Sequence, residues 1–412
     1  MPEISDQADV AAPTWVADWG PRVFAAGLGL LVLSTAIWVL AYSNQVDMII
    51  YRFGGHALLT GKPLYAVGLQ GRPDDQLFNY PPFAALLFTV LALIPDLVLR
   101  ILVPIGNVAL LVVVVHRSWR AVGIRDHAEL RALTLLSSGV LLWLEPVRTT
   151  IALGQVSLLL LALVMFDVLP SPTPRRWAGV ALGIAAGIKL TPLFFIPYLL
   201  LTRRVRAATV ASVTFLVTVA LGFLVAPSQA VQYWFHGIFD DLHRIAPADY
   251  NANQSLRGML AGWRPQWAGT TVGTVAAVAL GVISLVVASQ VCRRGRPLLG
   301  LALAGMASAA VSPYSWGYHW VWFVPLAVCL AYAAIIGRSR AHAALLGLLF
   351  VLTAYWVTSL RSPLTSKMPA AGLISLNLGG FLGFLAANLY LLIFVAALSA
   401  STVAMTERPY GS

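Results

Sequence analysis

The sequence predicts an all-α polytopic membrane protein with about twelve transmembrane helices, and three observations carry that expectation. Apolar runs of about 20 residues, the length a helix needs to cross a bilayer, recur along all 412 residues. Hydrophobic side chains make up 59% of the chain and charged ones only 10%, against about 25% charged in soluble domains. The arginines gather at the ends of the apolar runs, where topology signals sit. This composition excludes an ordinary soluble enzyme and a disordered chain. It excludes a porin-like barrel too, whose strands read as short alternating segments. The net charge of +11 belongs to those arginine clusters. No basic run is interleaved with aromatics as a base-stacking surface requires, so nucleic acid is not an expected partner. Cys292 and Cys329 lie in or beside apolar runs, which leaves no disulfide framework and no thiolate metal cage.

In chain order, residues 1–20 are polar and acidic with no basic n-region, which reads as a tail and not as a signal peptide. The run at 23–42 is long enough to span and has no small-residue cleavage pattern after it, so it stays as an anchor. Further spans are expected near 97–116, 132–145, 156–169, 178–189, 191–202, 207–226, 271–291, 298–312, 321–337, 343–360 and 379–403. The stretch 81–94 is the test case. Counted as a crossing, it places the Arg117–Arg131 loop opposite the clusters at Arg175/Arg176, Arg203/Arg204/Arg206, Arg293/Arg294/Arg296 and Arg338/Arg340. Read as an interfacial or re-entrant helix, bracketed by Pro81-Pro82 and Pro95, it returns every cluster to one face. The positive-inside bias makes that face cytoplasmic and puts both termini inside. Residues 21–404 then form a single transmembrane domain between cytoplasmic tails at 1–20 and 405–412.

The opposite face carries the loops 43–82, 145–155, 189–191, 227–270, 312–320 and 361–378. Two of them are long and rich in Trp, Tyr, His, Asn and Gln, which favours an ordered, functional surface. Three signals on this face point to chemistry. Asp47 follows the first span among apolar residues, an environment that raises a carboxylate's proton affinity and suits a general base; a plain helix cap is the competing reading. Lys189 interrupts an apolar hairpin just before Thr191-Pro192, where it either reaches an anion or snorkels to the interface. His319 sits in a dense polar and aromatic turn, Ser312 to Trp322, able to bond phosphate or sugar hydroxyls beside rings that pack on a sugar. An aromatic belt accounts for the Trp and Tyr of that turn, but not for the histidine. Arg148, in Glu145-Pro146-Val147-Arg148, and Arg257, after Asn253-Gln254-Ser255, add cations whose planar donors suit phosphate.

These positions fall into a set of motifs. Asp47 with Tyr51, Gly61-Lys62-Pro63-Leu64-Tyr65, Phe78-Asn79-Tyr80-Pro81-Pro82, Gly154-Gln155, Lys189-Leu190-Thr191-Pro192, Asn253-Gln254-Ser255-Leu256 and Ser312-Pro313 with His319-Trp320-Val321-Trp322 occur in order. From about residue 20 to about residue 400, the chain resembles the polyprenyl-phosphate-mannose-dependent α-(1→2)-mannosyltransferases of mycobacteria and related actinobacteria, a group of the C-type (GT-C) membrane glycosyltransferases. Many relatives carry a His-His pair where this chain has Tyr318-His319, so a two-histidine role does not carry over.

The resemblance implies a GT-C fold with juxtamembrane helices on the outer face of the plasma membrane. It implies inverting transfer of mannose from polyprenyl-phosphate mannose to a hydroxyl of a mannosylated glycolipid, a phosphatidylinositol mannoside or lipomannan. Asp47 matches the family's general base, and His319 joins it as a catalytic group. Lys189, with Arg148, Arg257 or His319, would hold the donor phosphate. Tyr51, Asn79, Tyr80, Gln155, Asn253, Gln254, Trp316 and Trp320 would orient sugar and acceptor. The lack of an Asp-x-Asp motif agrees with a single-phosphate lipid donor, so no metal and no cofactor beyond that donor is expected. Arabinofuranosyl transfer from a decaprenyl phosphate donor is the nearest alternative. A transporter or flippase would instead place ionisable residues near the bilayer midplane within two related halves, and a non-catalytic scaffold would need no base, cation and histidine on one side.

Overall fold

The computed structural model of the protein describes residues 15–42, 44–66, 68, 77–170, 176–238, 252–264, 270–354 and 380–406. Among these residues every regular element is a helix, and the β structure is one isolated antiparallel bridge between Leu144 and Ala354. In chain order the helices are α1 (Trp15–Tyr42), α2 (Val46–Leu59), α3 (Pro82–Ala92), α4 (Asp96–Ala121), α5 (His127–Leu141), α6 (Glu145–Leu153), α7 (Ser157–Val168), α8 (Val180–Ile188), a 3₁₀ turn (Thr191–Phe194) leading into α9 (Phe195–Leu201), α10 (Val205–Val225), α11 (Pro227–Phe235), α12 (Leu256–Trp263), α13 (Thr271–Arg293), α14 (Pro297–Val311), a 3₁₀ turn (Gly317–Trp320), α15 (Phe323–Ile335), α16 (Arg340–Thr353), α17 (Gly380–Ala387) and α18 (Leu389–Thr406).

Among the described residues four helices are long and apolar enough to cross a membrane by themselves: α1 over Gly20–Val39, α4, α10 and α13. The pairs α6/α7 and α17/α18 pass the same test together but bend by 116° and 72°. The stretches expected to cross at 156–169, 178–189 and 191–202 form helices of 12, 9 and 7 residues. Short helices of this kind are tolerated at membrane depth when protein surrounds them. Here Leu158, Leu161, Leu182, Ala185, Phe195 and Leu199 are fully buried against neighbouring helices. The helix α3 has 11 residues, about 16 Å of rise, half the thickness of a hydrocarbon core of about 30 Å. It is too short to cross, as its bracketing prolines predict. At the amino end α1 starts at Trp15, while its apolar window covers Gly20–Val39. Residues 1–14, the loop 361–378 and the end of the chain at 407–412 lie outside the described residues.

The bundle has two chemically distinct ends, and α7, α8 and α10 connect them. At one end Arg204 donates from Nη2 to the Asp167 carbonyl (2.6 Å), Arg206 reaches the Arg176 carbonyl (3.4 Å) and Arg117 lies over the Phe166 ring (5.4 Å). The side chain of Asp167 accepts from the Leu182 backbone N–H there (2.8 Å). At the other end stand Gln155, at the start of α7, and Lys189, just past α8. This is the polar and aromatic end that carries the candidate chemistry.

Helices α2 and α3 frame that end by packing on each other at short range. Gly55 makes the approach possible: a Cβ there would lie 2.2 Å from the Phe88 carbonyl oxygen, a backbone atom of a helix that has nowhere to move. Tyr51 stacks on Phe88 from the same helix face (centroids 4.5 Å apart). Gly55→Ala should therefore lower the thermal unfolding temperature of the detergent-purified protein, by about 1–3 kcal/mol of overpacking. Gly106→Ala, on α4 with nothing within 4 Å of the new Cβ, should leave it unchanged or raise it through better helix propensity.

Candidate active site

Asp47 lies in the first turn of α2, and two backbone hydrogen bonds and one from a side chain fix where that helix starts. The N–H groups of Asn44 and Gln45 both donate to the Ala152 carbonyl (3.1 and 2.8 Å), and Gln45 Nε2 donates to the Ile151 carbonyl (2.9 Å). The corner between α1 and α2 thus caps the C-terminal carbonyls of α6, which a helix end leaves without partners. Gln45 adopts a left-handed conformation (φ 55°) to make the corner. Gly154 ends α6 in the same region (φ 71°), and a Cβ at Gly154 would strike Gln45 Oε1 at 2.5 Å. Glycine serves both needs.

Beyond Gly154, the side chain of Gln155 is buried and faces α2. Its Oε1 accepts from the Tyr51 hydroxyl (2.7 Å) and from the Val156 backbone N–H (3.3 Å). Tyr51 in turn contacts the Tyr80 hydroxyl (3.0 Å). Oδ2 of Asp47 is buried with no hydrogen-bond partner. Burial pushes Asp47 up to about 6, against the opposing pull of Gln155 and of the Lys189 charge. The same dry surroundings raise the tyrosine hydroxyls of Tyr51, Tyr80 and Tyr318, which hold their protons throughout the physiological range.

Lys189 arrives from the opposite wall. The helix α8 stops at Ile188 and Lys189 is extended (φ −148°, ψ 138°), which swings its side chain away from the helix axis before Pro192 starts the 3₁₀ turn. Its Nζ lies 2.7 Å from His319 Nε2 and over the rings of Tyr80 (5.6 Å) and Tyr318 (5.8 Å). Burial lowers Lys189 to about 8 although the Asp47 charge opposes it, and burial with the Lys189 charge keeps His319 well below the usual imidazole range. The backbone N–H of Trp316 reaches His319 Nδ1 (3.2 Å), which orients the ring with Nε2 toward Lys189. One recess therefore presents a carboxylate with proton affinity near neutrality and, facing it, an amine and an imidazole able to meet an anion.

Other residues proposed from sequence take different places. Arg148 is fully buried over the Trp38 ring (5.0 Å), and its charge offsets that of buried Glu145. Glu145 accepts from the Tyr390 hydroxyl (2.8 Å) and abuts Gly317, where a Cβ would come within 2.3 Å of its carboxylate. This cluster ties α1, α6, α18 and the 3₁₀ turn bearing His319 together. Asn253 Oδ1 accepts from the Ser255 hydroxyl (2.8 Å) and the Ser315 N–H (3.1 Å). Gln254 donates to the Ala387 carbonyl (2.5 Å) and accepts from the Tyr390 N–H (3.2 Å), spanning the break between α17 and α18. Both are loop staples in this arrangement. Trp320 is fully buried among Phe323, Tyr390 and Phe394, so it offers no face to a sugar.

Three further positions are less central. Trp316 is half-buried, its ring 4.9 Å from that of Tyr314. Asn79 is half-buried in the segment that delivers Tyr80. Arg257 stands in the first turn of α12, which packs chiefly on α13, α14 and α17 rather than on the recess. Tyr318 is the residue that sequence reasoning left out; its place beside His319 was the available signal. Other carboxylates of the loops 43–82 and 227–270, Asp74, Asp75, Asp240, Asp241 and Asp249, lie outside the described residues. Among the described residues no group of three His, Cys, Asp or Glu is placed to hold a metal ion.

The fold and this recess define a multi-pass membrane protein with a carboxylate, an amine and an imidazole gathered at one end of its helices. The family model for Glycosyltransferase family 87 matches residues 78–313. A polyprenol-phosphate-mannose-dependent alpha-(1-2)-phosphatidylinositol mannoside mannosyltransferase of Mycobacterium tuberculosis (strain ATCC 25618 / H37Rv) is 30% identical, over 79% of this chain and 82% of its own. A polyprenol-phosphate-mannose-dependent alpha-(1-2)-phosphatidylinositol pentamannoside mannosyltransferase of Mycobacterium tuberculosis (strain CDC 1551 / Oshkosh) is 33% identical, over 78% and 74%. Its counterpart in Mycolicibacterium smegmatis is 34% identical over 71% of each chain. No solved structure matches. The chain belongs to glycosyltransferase family 87.

The buried cluster around Arg148 yields a prediction of its own. Arg148→Met leaves Glu145 without its compensating charge and should cost about 3–5 kcal/mol, seen as a lowered unfolding temperature and loss of monodispersity. A phosphate-holding Arg148 would instead leave the fold intact and weaken donor binding alone.

Proposed function

We propose that the protein is an inverting mannosyltransferase that moves mannose from polyprenyl-phosphate mannose to a hydroxyl of a mannosylated glycolipid, forming an α-(1→2) linkage at the outer leaflet of the plasma membrane. The observation that carries this reading is the placement of Asp47 opposite the Lys189–His319 pair within one buried recess. The names of the relatives, all lipid-phosphate-mannose-dependent, support mannose as the sugar. They support a phosphatidylinositol mannoside as acceptor over lipomannan. The twelve-span GT-C architecture, with the arginine-rich end in the cytoplasm, gives the recess its outward orientation.

In this mechanism the acceptor hydroxyl attacks the anomeric carbon from the face opposite the phosphate. The Asp47 carboxylate takes the hydroxyl proton as the new C–O bond forms. The bond from the anomeric carbon to the phosphate oxygen breaks, and the electron pair leaves on the polyprenyl phosphate. Lys189 and His319 stabilise the developing charge, where low polarity makes each donor worth more than in water. A β-linked donor gives an α-linked product in one displacement, with no covalent enzyme intermediate. The ring faces of Tyr80 and Tyr318 wall the space beside the Lys189 amine.

The direct test offers purified protein radiolabelled polyprenyl-phosphate mannose with each candidate acceptor, followed by linkage analysis. Asp47→Asn keeps size and helix-capping ability but removes basicity, so transfer should fall by about 100-fold or more while fold and donor binding survive. A rate close to the parent's would assign Asp47 to capping.

The pH dependence is equally specific. Asp47 must be unprotonated to act, so the rate rises with pH through about 6; Lys189 must be protonated to hold phosphate, so it falls through about 8. A bell-shaped kcat/KM profile with limbs near those values is expected. Lys189→Arg should retain part of donor affinity and carry no alkaline limb below pH about 10, since a guanidinium stays charged. Lys189→Ala should lose donor binding and transfer together.

A further inference from the structure

The turn that carries His319 is gripped at two points by residues that the mechanism does not use. Ser315 has both backbone groups taken: its N–H donates to Asn253 Oδ1 (3.1 Å), and its carbonyl accepts from the Gln254 N–H (2.7 Å). Two residues on, the Glu145 carboxylate lies against Gly317, where a Cβ would come within 2.8 Å of both its oxygens and the carbon between them. The imidazole moves with this backbone, because the Trp316 N–H donates to His319 Nδ1 (3.2 Å) and the His319 N–H donates to the Trp316 carbonyl (2.9 Å). Both grips lead to one residue in the first turn of α18. The Tyr390 N–H donates to Gln254 Oε1 (3.2 Å), and the Tyr390 hydroxyl donates to Glu145 Oε2 (2.8 Å). Tyr390, Gln254 and Glu145 are all buried, so they meet no substrate themselves and act on the recess only through the turn.

We propose that Tyr390 is a positioning residue for His319: its hydroxyl sets the Glu145 carboxylate against Gly317, and its N–H sets the Gln254 loop against Ser315. The proposal rests on the reading of His319 given above, as a group that stabilises the leaving phosphate. His319 Nε2 stands 2.7 Å from Lys189 Nζ, and the two side chains arrive on separate segments, one from the turn before α15 and one from the end of α8. Their registry therefore depends on how firmly the turn is held. A displacement of about 1 Å in a group that meets developing charge costs on the order of 100-fold in rate. The hydroxyl of Tyr390 supplies direction that packing alone does not. Its ring meets Trp320 and Phe323 edge-on (5.9 and 5.1 Å between centroids), contacts that a phenylalanine keeps while losing the bond to Glu145.

The test is a double-mutant cycle on the purified full-length protein, reading kcat/KM for mannose transfer from polyprenyl-phosphate mannose to a phosphatidylinositol mannoside. Tyr390→Phe should lower kcat/KM on the order of 10-fold in the parent. In a His319→Ala background it should cost less than about twofold, since a residue that acts through the imidazole then has nothing left to position. Gly317→Ala, which forces the turn off the Glu145 carboxylate, should show the same dependence on His319 with a larger loss in the parent. A residue that serves stability alone, or one that binds sugar, would cost the same factor in both backgrounds, and that result would overturn the proposal. So would an unchanged kcat/KM in Tyr390→Phe. If Tyr390→Phe does not purify as a monodisperse protein, the Gly317→Ala cycle decides by the same criterion. A His319→Ala protein with the parent's rate removes His319 from the reaction and the proposal with it. An impaired His319→Ala in which both substitutions still cost their full factor sinks only the role of Tyr390.

Discussion

The carbonyl oxygen of Ala152 accepts two backbone N–H groups, those of Asn44 and Gln45, and the geometry of the recess follows from that contact. A helix end in an apolar bundle must find partners for its last carbonyls, because an unpaired one costs several kcal/mol in hydrocarbon. The corner between α1 and α2 meets the need of α6, and in doing so sets the first turn of α2, and Asp47 with it, against the bend between α6 and α7. Gln155 emerges from that bend. The bend is held in turn by the buried cluster of Glu145, Arg148, Tyr390 and Gly317, which also anchors the turn carrying His319. One set of contacts thus places Asp47, Gln155 and the turn bearing the imidazole, although they come from three distant parts of the chain.

Desolvation acts on the recess with opposite signs. It disfavours charge on whichever group is asked to carry it, so it raises the carboxylate of Asp47 and lowers the amine of Lys189. Each charge also supports the other, which keeps both shifts moderate. The result is an acid and an amine that titrate on either side of neutrality. Such a pair suits a reaction that must remove a proton from a hydroxyl and hold an anion at the same pH.

Residue type alone did not separate chemistry from architecture. Arg148 and Lys189 read alike as cations near an interface. Burial over Trp38 beside Glu145 makes the first a structural charge, and an extended backbone before Pro192 turns the second into the recess. Asn253, Gln254 and Trp320 carried polar and aromatic signals as good as those of Tyr51 and Tyr80, yet they staple a loop and fill a core. An amide on a loop is as useful for closing a helix break as for binding a sugar, and only its neighbours decide which.

Composition and the spacing of apolar runs by themselves determined the helical membrane class. The prolines around 81–95 marked a segment too short to cross, and the order of motifs from Asp47 to Trp322 pointed to the family. Those features are local, written in runs of neighbouring residues. Tertiary structure decided the rest: that α7, α8 and α9 are short and enclosed by other helices, that Arg148 turns inward, and that Gln155 reaches Tyr51. These depend on contacts between residues over 100 positions apart in the case of Gln155 with Tyr51, at |i−j| of 104. No local pattern encodes such a pairing, because it arises only when distant helix ends satisfy one another's polar groups.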